Sequence, residues 1–385
     1  MLKPIHLAFV LALFNMFSVG GARVLVTLYA LKLGAQPLTI GLLAAAFAVF
    51  PMLLAWHAGK VLDRLGPRLP LTLGAAAGGC GLLLPYFVPT VPALFIAATV
   101  SGLSMTFYNV SLQNLVGTLS NAHTRARNYS NYSMAISAGF AGGPLVAGIA
   151  IDRLGHLFTF PLVAGLMIVP LILLAVWGGT LPGGRRDAGP VHSIRDTLTN
   201  PQLWPVLAMS GIAQCGLELF QVYVPVYGVA QGLSASAIGV IIGTSAAGGF
   251  AGRLLLTRLI AWCNEEKVLA YALILGALSF TAVPFFTSAA ALSIVAFVFG
   301  FGLNCSQPIT LMLIYSRSAQ GQSGAALGLR FAVDNGVRLA SPVLLGLVAS
   351  AFGLGVMFWL NALLLGAGGV LTHIDAGKRK SRTTY

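Results

Sequence analysis

The chain has 385 residues, of which 57% are apolar and only 8% charged. Soluble domains are about a quarter charged, so this composition cannot cover a water-facing surface and implies a chain solvated by lipid. The net charge of +13 does not signal a nucleic-acid partner, because the basic residues are spread between apolar runs instead of gathered on a soluble module.

About 20 apolar residues cross a bilayer as a helix. Twelve such spans are predicted, at 7–31, 38–58, 70–89, 92–115, 129–151, 157–178, 204–229, 236–256, 267–287, 290–314, 326–350 and 353–373. The first stretch lacks a small-residue cleavage site and reads as a retained helix. With both termini in the cytoplasm, the inner loops and tail collect Lys60, Arg64, Arg68, Arg185, Arg186, Arg317, Lys378, Arg379, Lys380 and Arg382, among others. The outer side keeps only Lys32 and Arg153. This asymmetry sets the expected orientation. Compact loops suggest a bacterial inner membrane, and a monomer is expected. Residues 179–203 are rich in Gly, Pro and charge and read as a cytoplasmic linker. It divides a six-helix bundle (1–178) from a second (204–374), and 375–385 form a basic tail.

The halves superpose in sequence with one offset of 198 residues (227 minus 29). Tyr29 falls on Tyr227, Gly34 on Gly232, Gly41 on Gly239, Gly102 on Gly300, Pro144 on Pro342 and Gly155 on Gly353. A duplicated six-helix unit points to two bundles rocking about a central site.

After span 2 the sequence Gly59-Lys-Val-Leu-Asp63-Arg64-Leu-Gly66-Pro-Arg68 resembles the signature loop of the major facilitator superfamily. That resemblance implies an all-α membrane fold of twelve helices in two pseudo-symmetric bundles. It also implies that Asp63 faces the positive start of span 11, near Gly324. Gly139-Phe-Ala-Gly-Gly143-Pro144-Leu-Val-Ala-Gly148 in span 5 is similar to the Gly-Pro motif of the family's antiporters. Small residues there allow close helix approach, and Pro144 kinks the helix. Two positions depart from the pattern. Ala98 stands where many drug–proton antiporters carry an arginine ahead of Gly102. The second-half loop Gly252-Arg253-Leu-Leu-Leu-Thr257-Arg258 has no acid at its turn.

Glu218 and Asp334 are the acids well inside spans, and Arg23, Arg330 and Arg338 the bases. Each costs roughly 2.5–3.5 kcal/mol near a helix centre, so they are expected to pair or to face a watery cavity. Gln214, Glu218 and Gln221 share one face of span 7. Asn15 and Arg23 on span 1, Asn109 and Gln113 on span 4, and Asn304 and Gln307 on span 10 supply the other polar positions. The resemblance implies that spans 1, 4, 7 and 10 line the substrate cavity. Phe107, Tyr108, Tyr223 and Tyr227 are expected to contribute aromatic lining. Arg330, Asp334 and Arg338 form one stripe on span 11, read as a salt-bridge ladder or as a coupling and gating site. Glu218 has no charged neighbour within its own helix turn, so it is the expected proton carrier, whereas Asp334 is expected to stay ionised. Three buried cations against two anions leave +1, which leans toward an anionic or zwitterionic substrate.

Cys80, Cys215, Cys263 and Cys305 are scattered without ligand spacing, so no metal or disulfide is expected. No P-loop is present, and neither an ATP-driven pump nor another cofactor is expected. A receptor or membrane enzyme is disfavoured by short loops and by histidines at helix ends. The function expected is a secondary active transporter that exports a small organic solute in exchange for protons. The alternative is a proton-coupled importer or facilitator of an organic anion or zwitterion.

Overall fold

The computed structural model describes residues 3–121, 123–182, 200–318 and 323–382, with side chains except at 55–64, 125–126, 323–325 and 376–382. Gly59, Asp63, Arg64, Gly324, the basic tail from residue 376, and linker residues 183–199 with Arg185 and Arg186 therefore lie outside the described side chains or residues.

The described residues are helical, without strands. In chain order the helices are α1 (Pro4–Lys32), α2 (Pro37–Leu65), α3 (Arg68–Phe87), α4 (Val91–Thr118), α5 (Arg125–Gly165), α6 (Ile168–Trp177), α7 (Trp204–Ala230), α8 (Ala235–Cys263), α9 (Glu265–Ala282), α10 (Ala289–Leu303), α11 (Ser306–Arg317), α12 (Ser323–Phe352) and α13 (Leu354–Arg382). Local chemistry sets the ends. Pro4 opens α1 at a position whose N–H has no helical partner anyway. Asn264 accepts from the Lys267 amide to cap α9, whose first turn carries Glu265 and Glu266.

Eleven stretches among the described residues are long and apolar enough to cross a membrane, against the twelve expected. The difference lies at predicted spans 5 and 6, which run together as Arg127–Thr180, 54 residues. At 1.5 Å per residue a straight helix of that length would be about 81 Å, far beyond a core of about 30 Å. Gly155, at φ 80° and ψ 165°, breaks the helical path inside it. A residue without Cβ turns the chain in a single step, so no loop separates the two stretches. Predicted span 10 is likewise two helices, α10 and α11, interrupted at Asn304 and Cys305. Pro308 has no N–H to offer the Asn304 carbonyl. At the interruption the Asn304 Nδ2 and Cys305 Sγ bond the carbonyls of Gly300 and Phe301, at 3.2 and 3.3 Å.

The repeat has a conformational counterpart. Gly34 and Gly232 turn at φ 83° and 74°, and Gly155 and Gly353 at 80° and 87°. A Cβ on Gly102 would overlap the Phe47 carbonyl, and one on Gly300 would overlap that of Ser245. Phe47 and Ser245 are themselves related by the same offset, so α4 crosses α2 as α10 crosses α8.

The chain divides into two compact units. The first comprises Met1–Asp187 with Gly228–Gly243, and the second Ala188–Tyr227 with Thr244–Tyr385. Leu7, Leu11, Leu71, Tyr108, Leu112 and Leu115 form a core cluster of the first. The second is built on Phe220, Phe280, Phe299 and Phe358, all fully buried. Phe220 stacks on Phe299 at 4.1 Å, and Phe280 meets Phe299 edge-on at 5.3 Å. Large apolar side chains such as Leu254, Trp262, Leu278 and Leu363 stay exposed, as lipid-facing residues must.

Candidate substrate and coupling site

In the second unit, α7 carries Ser210, Gln214 and Glu218 four residues apart, and all three are buried. They share one helix face. On α12, Arg330, Asp334 and Arg338 follow the same spacing. The two stripes are joined side chain to side chain. Ser210 Oγ donates to Asp334 Oδ1 at 2.8 Å and accepts from Arg330 Nε at 3.0 Å. Arg330 Nε lies 3.5 Å from Asp334 Oδ2. The Arg330 guanidinium also donates to the Gln307 side-chain oxygen on α11. Gln307 Nε2 in turn donates to Gln214 Oε1 at 3.0 Å. One buried cation thus holds partners from α7, α11 and α12.

Further along the seam, Arg338 Nε lies 4.0 Å from Glu218 Oε2. The Glu218 side chain is 4% exposed and that of Arg338 34%, so this pair has one face toward a more open environment. The first rung of the ladder on α12 is internal and the second is not. Asp334 neutralises Arg330 within the helix, while Arg338 reaches across to α7. Glu218 is isolated along its own helix, as expected, but α12 supplies the charged neighbour that no local spacing reveals.

The remaining predicted positions divide between the units. Asn304 bonds the Gly300 carbonyl of its own helix and packs against Gly249 of α8. Gln221 lies one turn beyond Glu218, partly buried. In the first unit Arg23 sits over the Phe47 ring, 5.6 Å from its centroid. Asn15 Nδ2 and Asn109 Oδ1 are buried with no protein hydrogen-bond partner. Gln113 is exposed, and its carbonyl accepts from the Tyr129 hydroxyl at 3.2 Å. Two aromatics expected as lining are core residues: Tyr108 belongs to the first unit's apolar cluster, and the Tyr223 hydroxyl is tied to the Pro342 carbonyl at 2.5 Å. Bulk favours burial for both, and the Tyr223 hydroxyl is satisfied there. Ser210 was not predicted. The signal available was its position four residues ahead of Gln214 on the same face. Among the described residues no group of three His, Cys, Asp or Glu could hold a metal ion.

In the Gly-Pro segment, a Cβ on Gly143 would overlap the Phe17 carbonyl, and the Pro144 ring packs against Gly20. These residues let the α1 and α5 backbones touch. Gly66 closes α2 at φ 73°, and Arg68, exposed, begins α3 with its guanidine stem beside Gly178.

The Major Facilitator Superfamily model matches residues 8–342 of this sequence. The chain belongs to the Major Facilitator Superfamily. Within it, the chain is 25% identical to the quinolone resistance protein NorA of Staphylococcus aureus over 167 residues, 42% of this chain and 43% of NorA. The match thus spans under half of that relative. It is 24% identical to multidrug resistance protein 1 of Bacillus subtilis strain 168 over 312 residues, 77% of each chain. A crystal structure of the peptide transporter POT in complex with sulfate superposes with a TM-score of 0.82 at 14% identity, covering 98% of this chain and 94% of that one. At that identity the likeness concerns the fold. Superfamily membership makes the protein a multi-pass membrane protein of a transporter family.

Proposed function

We propose that this facilitator-superfamily protein is a proton-coupled exporter of a small organic solute, working by alternating access as a monomer in the bacterial inner membrane with both termini cytoplasmic. In this reading the six-helix bundles are 1–178 and 204–374, joined by the linker 179–203. The observation that carries it is the Glu218–Arg338 pair beside the Arg330–Ser210–Asp334–Gln307 network. A carboxylate and a guanidinium at 4.0 Å form a two-state element. A proton arriving on Glu218 cancels its attraction for Arg338, and the released cation takes an anionic partner, either Asp334 or a substrate group. A cationic substrate group that competes with the proton for Glu218 meets the requirement for exchange, whereas an anionic group held by the released Arg338 binds together with the proton, as in cotransport. Asp334, bonded to Ser210 and next to Arg330, is the fixed charge of the network. Export is favoured by the likeness to two proteins named for drug resistance.

The substrate cavity in this reading draws on Asn15, Arg23, Asn109 and Gln113 from the first half, and on Gln214, Glu218, Gln221, Asn304 and Gln307 from the second. The charges expected inside the spans, Arg23, Arg330 and Arg338 against Glu218 and Asp334, sum to +1. That surplus supports a substrate bearing a negative group, either an anion or a zwitterion. The same observation is what favours the second reading, import of such a solute.

The test uses everted membrane vesicles, whose interior acidifies on energisation. A quinolone and a lipophilic cationic dye serve as probes. Accumulation that collapses with the pH gradient and is lost in Glu218→Gln is expected. Accumulation insensitive to both rules out the proton-exchange reading, and accumulation confined to right-side-out vesicles establishes import. Arg23→Ala is expected to abolish the response to the quinolone while sparing folding.

A further inference from the structure

The tetrapeptide Asp-Arg-Leu-Gly occurs twice, at 63–66 and at 152–155. In both copies the glycine has positive φ, 73° at Gly66 and 80° at Gly155. The second copy is not a product of the duplication. The 198-residue offset carries Asp152 onto Ser350 and Asp63 onto Ala261, so Asp152 has no acidic counterpart. The substrate reading above makes no use of it.

Asp152 ends the first straight segment of α5 and reaches the start of α8. Its Oδ1 accepts the Ala235 amide at 3.0 Å, and its Oδ2 the Ser236 amide at 2.8 Å. The Ser236 hydroxyl donates to Oδ2 as well. Ala235 and Ser236 open α8, so their N–H groups are among the donors that a helix start leaves unsatisfied. Ser234 Oγ accepts the next amide, that of Ala237, at 3.2 Å. A residue 83 positions away in sequence thus supplies the anion that complements the positive end of α8.

The two helices behind this contact meet backbone to backbone. A Cβ on Gly148 would overlap the Ala235 carbonyl, one on Gly239 the Pro144 carbonyl, and one on Gly243 would press on the Ala141 carbonyl. The backbone approach at these glycines contributes dispersion, and Asp152 adds directional bonds at the start of α8. Asp152 is itself exposed, so water can take over its hydrogen bonds when the helices part. A buried carboxylate in the same place would make separation prohibitively costly.

We propose that Asp152 is the latch of a separable α5–α8 seam: it caps α8 in the conformer seen here and is released when the two helices part during the transport cycle. The inference concerns a conformational equilibrium and goes beyond substrate or coupling ion. In the expected topology the latch lies on the face opposite the termini.

The experiment is a spin-label distance measurement in nanodiscs, on the full chain without substrate or gradient. Labels replace Ile149 and Gln231, both exposed. Cys80 and Cys263 are removed, since the other two cysteines are buried. The parent is expected to give one dominant short distance. Asp152→Ala is expected to raise the ratio of separated to closed molecules about tenfold, the scale of losing a helix cap. Asp152→Asn keeps one acceptor and the shape but loses the charge, and is expected to shift it about threefold. This variant carries the test if the alanine form fails to fold. Ser236→Ala removes one donor of three and is expected to shift it less than threefold. A ratio within twofold of the parent in both Asp152 variants overturns the latch. So does a Ser236→Ala shift as large as that of Asp152→Ala, since the hydroxyl alone would then hold the seam. No transport is read, so failure of the export reading leaves this result intact.

Discussion

Removing the Asp334 carboxylate is the most direct test of the buried network. Its Oδ1 holds Ser210 at 2.8 Å, and its Oδ2 lies 3.5 Å from Arg330. Both charged side chains are less than a tenth exposed. Breaking a buried pair by deleting one partner costs about 3–5 kcal/mol, mostly because the other charge is left uncompensated. Arg330 keeps Ser210 and Gln307 as neutral partners, which places Asp334→Ala at the lower end, about 3 kcal/mol. Asp334→Asn retains an acceptor for Ser210 and should cost about 1.5–2 kcal/mol. In Arg330→Met/Asp334→Ala both charges are gone and the apolar replacement suits the membrane, so the double variant should lose only about 1 kcal/mol. The coupling in the double-mutant cycle is then at least about 2 kcal/mol. Equilibrium unfolding in detergent micelles, followed by far-UV circular dichroism, measures all four corners. Additive single costs, or an Asp334→Ala loss below about 0.5 kcal/mol, the scale of an ordinary surface change, would refute the assignment of this pair as the fixed charge of the site.

Gly300→Ala and Gly102→Ala drive a methyl into the carbonyls of Ser245 and Phe47. Each should lower stability by about 1–3 kcal/mol with a matching fall in melting temperature, and a neutral result at either site would contradict the backbone crossing. Asn264 caps α9 from φ 66°. Asn264→Gly should cost a few tenths of a kcal/mol, whereas Asn264→Ala, which loses the cap and keeps the left-handed strain, should cost about 2 kcal/mol. Thermal unfolding of the pair separates the two contributions, and equal losses would mean that strain plays no part.

What a bilayer demands is written along one dimension, so the sequence by itself determined most of it. Apolar length, the excess of basic residues between runs, and the 198-residue offset require neither contacts nor rotamers to read. The turn glycines at 34, 155, 232 and 353 were already paired by that offset, and the backbone gives each pair matching positive φ. The Arg330–Asp334 contact was legible too, because i and i+4 must meet on a helix. Helix continuity was less so: whether Gly155 opens a loop or only a break, and whether Pro308 splits span 10, depends on which neighbouring groups take up the freed carbonyls. The cross-helix partners were decided by tertiary structure alone. Arg338 finds Glu218, Ser210 joins Arg330 to Asp334, and Asp152 caps α8 only because each helix has a particular rotation and axial shift against its neighbour. A shift of one residue rotates a side chain by about 100°, enough to separate any of these pairs. For Asp152 the register is fixed by the α5–α8 crossings at Gly148 and Gly239, and α7 meets α12 closely at Gly211, against Val333 and Val337. The pairings are therefore a consequence of packing between distant segments, which no local spacing encodes.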